Sequence, residues 1–68
     1  MNERELIISE LERVRAMLYK NEQLYDLASD ETETEALIYE CKALRLRYSA
    51  LIVKARELGI RSEGWDLK

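Results

Sequence analysis

The first glycine in this chain is Gly59, and there is no proline anywhere. Most of its 68 residues therefore pass without either of the strongest local breakers of regular structure. Two long helices with one connection are the expectation. The first is predicted from about Glu3 to Leu27, where apolar residues follow a three-four spacing through Ile7, Leu11, Val14 and Leu18. The same series continues through Asn21, Tyr25 and Ala28, and Leu6, Met17 and Leu24 widen the stripe.

The break falls at ASDETETE, residues 28–35. Ser, Asp and Thr favour caps there because their side chains compete for nearby backbone donors. Asp30 with Glu33 and Thr32 with Glu35 are both capping-box spacings, and the crowded carboxylates suit the positive end of a helix dipole. The pattern does not choose between the two caps.

The second helix, predicted over about residues 32–58, carries an uncharged seam at three-four spacing: Leu37, Cys41, Leu44, Tyr48, Leu51, Ala55 and Leu58. A second series, Tyr39, Ala43, Leu46, Ala50 and Val53, lies on the approximately opposite side, and Ile60 continues it past the helix end. A helix apolar on two faces is normally buried between neighbours, and the first helix can cover only one of them. The expected fold is therefore all-α, a two-helix antiparallel hairpin completing a four-helix bundle as a homodimer with the second helix inside. Its intramolecular core would be Ile7, Leu11, Val14, Leu18, Tyr25, Leu37, Cys41, Leu44, Tyr48, Leu51 and Leu58. Its dimer interface would be Tyr39, Ala43, Leu46, Ala50, Val53 and Ile60, in either parallel or antiparallel arrangement. The alternative is that these outer residues are apolar side chains scattered on an ordinary surface.

Chain length gives a reason to expect the dimer. A domain this small buries only about 60% of the surface its unfolded chain exposes. One cysteine rules out an internal disulfide, and the absence of histidine removes the usual zinc ligand sets. Association is the remaining route to stability. Gly59 is expected to end the second helix in a left-handed conformation, with Ile60 able to fold back on the last turn. The tail over residues 61–68 is expected to be irregular, with Trp65 either docked weakly or solvated.

Residues 1–35 hold ten acids against four bases, whereas residues 36–68 carry a net positive charge of three. An acidic first helix beside a basic second one follows. Nucleic-acid binding by Lys42, Arg45, Arg47, Lys54, Arg56 and Arg61 is disfavoured, since these bases do not gather on one face and the whole chain has a net charge of -3. No apolar run approaches the roughly 20 residues of a membrane span, and the charged MNERELIISE start lacks the order of a secretory signal, so a cytoplasmic location is expected.

Catalytic triads, phosphate cradles and cofactor-binding motifs have no counterpart, so no enzyme activity and no cofactor are expected. Glu31, Glu33 and Glu35 read as a dipole-compensating cluster rather than a metal site, and Cys41 as a small apolar seam residue. Asn21 at a seam position either fixes register or lies at the rim.

The stretch LIYECKALRLRYSALIVKARELGI resembles the YaaL-like small proteins of Gram-positive bacteria, a family of unknown function that pairs an acidic first helix with a second helix of this form. Ile38-Tyr39, Lys42-Ala43, Arg47-Tyr48, Leu51-Ile52, Lys54-Ala55-Arg56 and Gly59-Ile60 carry the resemblance, which extends over about residues 5–60. It implies a cytoplasmic bacterial helical hairpin with no activity to carry over. The hairpin is also similar in outline to the Spo0E-like phosphatases, which act on a phosphorylated response regulator. Their Ser-Gln-Glu-Leu-Asp signature is replaced here by Tyr39-Glu40-Cys41-Lys42-Ala43. A regulator of that kind would have to rely on Asn21, Gln23 or Glu40; the leading expectation is a non-enzymatic interaction module.

Overall fold

The computed structural model describes residues 2–61, which form two helices, α1 (Glu3–Leu27) and α2 (Glu31–Glu57). Expectations for the tail beyond Arg61, Trp65 included, lie outside the described residues. Three residues, 28 to 30, connect the helices, and a connection that short makes them antiparallel neighbours. Three contacts set one register along their length. Glu3 meets Lys54, Glu10 meets Arg47, and Asn21 meets Leu37, and in each of these three pairs the residue numbers add to 57 or 58.

Each helix boundary has a local cause. Asn2 caps α1 through a reciprocal capping box: its Oδ1 accepts from the Glu5 backbone N–H at 2.8 Å, and the Glu5 carboxylate accepts from the Asn2 N–H at 3.3 Å. Asp30 caps α2, accepting from the Thr32 N–H at 2.7 Å, so Thr32 lies inside the helix and α2 starts and ends one residue earlier than the expected 32–58. At its other end Gly59 takes φ 72°; the Gly59 N–H donates to the Arg56 carbonyl at 3.0 Å and the Ile60 N–H to the Ala55 carbonyl at 2.9 Å. These are the two bonds of a Schellman stop.

The core is a single seam. Leu11, Val14 and Tyr48 are wholly buried, and Ile7, Leu44, Ala55 and Ile60 complete the cluster. Leu18, Leu51 and Leu58 pack against it half-buried; Leu37 is buried nearer the connection, and Cys41 is half-buried. Side-chain burial of this kind supplies most of what holds a small helical hairpin together.

Two residues depart from their expected places. Tyr25, predicted in the core, is 46% exposed. The register sets it opposite the first turn of α2, where Thr32 and Glu33 are polar and exposed. Ile60, predicted on the outer face, is only 6% exposed and belongs to the hairpin core. The left-handed turn at Gly59 reverses the chain and sets Ile60 back on Ala55, so its place in the outer series is corrected.

Candidate interaction surface

With the core on one side of α2, the rest of the helix presents three exposed strips, each formed by the helical period. The outer strip faces away from α1. Its large members are Tyr39, Leu46 and Val53, exposed by 64%, 73% and 54%, and Ala36, Ala43 and Ala50 lie exposed between them. A protein surface normally carries single exposed apolar side chains; three of them one heptad apart on a single helix form a continuous ridge. The Lys42 ammonium lies 5.8 Å from the centroid of the Tyr39 ring, at one edge of this strip.

The second strip is the polar flank where α2 meets α1. Arg47 contacts Glu10 at 2.9 Å, Glu10 also accepts from Arg13 at 3.0 Å, and Lys54 lies 3.9 Å from Glu3. Hydrogen bonds from Arg13 and then Arg47 hold the Glu10 carboxyl far below its usual range, at about 2. These pairs match the expected juxtaposition of an acidic first helix with a basic second one. Being exposed, they select register more than they stabilise.

On the same flank, toward the connection, Asn21 is 5% exposed and donates through Nδ2 to the Leu37 carbonyl at 3.0 Å and to the Glu40 carboxylate at 3.1 Å. Of the three candidate residues for a phosphoprotein regulator, Asn21 and Glu40 therefore come together and bond each other. Gln23 points elsewhere and donates to the Tyr19 hydroxyl at 3.0 Å.

The third strip borders an open groove of about 660 Å³ between the later turns of α1 and the first half of α2. Leu18 and Tyr25 line it from α1, and Ile38, Cys41, Lys42 and Arg45 from α2. The sequence signal for it is the spacing Ile38, Lys42, Arg45, Ser49, which the two apolar series overshadow. No cluster of three potential metal-ligating side chains is found among the described residues, and no helix there is long and apolar enough to cross a membrane.

Compared with protein-family models, curated proteins and solved structures, the chain finds no match.

Proposed function

We propose that this chain is a small non-enzymatic interaction module that self-associates through the outer strip of α2, leaving α1 and the groove to meet another protein. The observation that carries this reading is the exposure of Tyr39, Leu46 and Val53 one heptad apart on the face of α2 opposite the core. Leaving such a ridge in water forgoes about 25 cal/mol for every Å² of apolar surface that a partner would cover. A two-helix core has little stability to spare, so association through this face would stabilise the fold as well as the complex. The hairpin so described is of the kind implied by the YaaL-like resemblance, and a cytoplasmic setting belongs to the same proposal. The Spo0E-like alternative draws no support from Asn21, whose two amide hydrogens are engaged by Leu37 and Glu40.

Thermal unfolding followed by circular dichroism over a hundredfold range of protein concentration tests the proposal. A self-associating hairpin has a Tm that rises with concentration. A Tm independent of concentration, in a chain that stays folded at the lowest concentration, would refute it.

A further inference from the structure

We infer that the two copies meet through α2 in an antiparallel arrangement, in the one register that sets residue 43 of each copy against residue 46 of the other. The inference rests on the self-association proposed above and adds its orientation and register.

Two independent features of the exposed surface select it: side-chain volume selects the antiparallel orientation, and charge selects the register. The first is volume. The outer strip alternates strictly between small and large: Ala36, Tyr39, Ala43, Leu46, Ala50, Val53. In an antiparallel helix pair the first and second seam positions of the heptad share a layer. Here that layers Ala43 with Leu46 of the second copy, Tyr39 with its Ala50, and Ala36 with its Val53, and the two-fold repeats each pairing. Every layer then holds one alanine and one large side chain, the arrangement that fills space evenly. A parallel pair would instead stack Ala on Ala and Leu on Leu, alternating thin and crowded layers.

The second feature is charge. Glu33, Glu40, Arg47 and Lys54 flank the strip on one side and are all exposed. In the inferred register Glu33 lies beside Lys54 of the second copy and Glu40 beside its Arg47, so every pair on this flank is of opposite sign. Across the other flank Glu35 lies beside Arg56 of the second copy, and Lys42 beside its Ser49. A slip of one heptad in one direction sets Arg47 against Arg47 and Lys42 against Arg56. A slip in the other sets Glu40 against Glu40 and Lys42 against Lys42. The parallel pair sets Glu35 against Glu40 and Lys42 against Arg47. Like charges directly opposed across a helix seam disfavour all three alternatives. The existing bonds of Arg47 to Glu10 and of Glu40 to Asn21 leave further donors and lone pairs on both groups.

The register also centres the two-fold near the middle of α2, so the helices overlap along almost their whole length.

Spin labels on Thr32→Cys and, separately, Glu57→Cys, each in the full chain carrying Cys41→Ala, test it by pulsed dipolar spectroscopy. Both positions are exposed, and circular dichroism checks that each labelled chain remains helical. At 1.5 Å per residue the inferred register gives equal separations of about 38 Å along the axis at the two sites. A heptad slip moves them apart, to about 27 and 48 Å in one order or the other, and a parallel pair makes both short. Either of those results overturns the register while leaving self-association in place. A folded protein with no dipolar coupling at either site, and a monomer mass by sedimentation, overturns both.

Discussion

Asn21 reaches across the hairpin to donate to the carbonyl oxygen of Leu37, at 3.0 Å, with its amide nitrogen also bonded to Glu40. It is the one buried polar residue among those described. Apolar side chains in a seam tolerate sliding by a turn; an amide that must find one carbonyl does not. The Leu37 carbonyl sits within α2 and has its own helical donor, so the amide adds a second bond and ties α1 to one register.

Asn21→Ala is expected to lower unfolding free energy by about 1–3 kcal/mol, the range for a hydrogen bond to a charged acceptor together with its packing. Asn21→Leu should lose less than Asn21→Ala, because it forfeits the same two hydrogen bonds but keeps the buried side-chain volume, while in both variants the Leu37 carbonyl keeps its helical donor and the exposed Glu40 keeps water. Urea denaturation of the three proteins measures both differences. Equal losses in Ala and Leu would show that the hydrogen bonds themselves, rather than filling the site, govern stability.

Gly59→Ala isolates the cost of a left-handed residue. A methyl group at this position would meet nothing within 4 Å, so the penalty is purely that of φ 72°. A loss of about 1–2 kcal/mol is expected, and Gly59→Asn should lose less. Thermal melts rank the three; a silent Gly59→Ala would mean that the Schellman stop is dispensable for seating Ile60.

Acid stability depends on Glu10. Its carboxyl titrates at about 2 in the folded chain against 4.5 unperturbed, so the unfolded state binds the proton first as pH falls. The stability it contributes is present in full above 4.5 and is lost as pH drops through that window toward about 2. Glu10→Gln should flatten the acid limb of stability against pH there, relative to wild type, and change nothing in the slope above pH 6. Because the ion pairs are exposed, the difference should shrink at about 1 M salt, where screening acts beyond about 3 Å. Denaturant titrations at a series of pH values supply the comparison.

The helices and most of the seam were legible because they follow from local rules: no breaker before Gly59, three-four spacing, and a glycine stop. The Asn2 box is legible by the same local rule, as an Asn three residues before Glu5. Tyr25 and Ile60 show where a single helix pattern runs out. Tyr25 has the right spacing for the core, yet its burial depends on what the other helix sets opposite it, and that is polar. Ile60 has the right angle for the outer face only if the helix continues, and Gly59 stops it. For Asn21 the seam position could be read from sequence, whereas its bonds to Leu37 and Glu40 required the register.

The most direct test of self-association through α2 is sedimentation equilibrium, over a range of concentrations, on wild type and Leu46→Glu. Leu46 is 73% exposed in the single hairpin, so a glutamate there costs the monomer little and charges only the proposed interface. Wild type is expected to sediment as a dimer, and Leu46→Glu to dissociate to a monomer with the helical content of a hairpin or to unfold as its concentration falls. A monomeric wild type at every concentration, or a Leu46→Glu dimer as tight as wild type, would contradict the account.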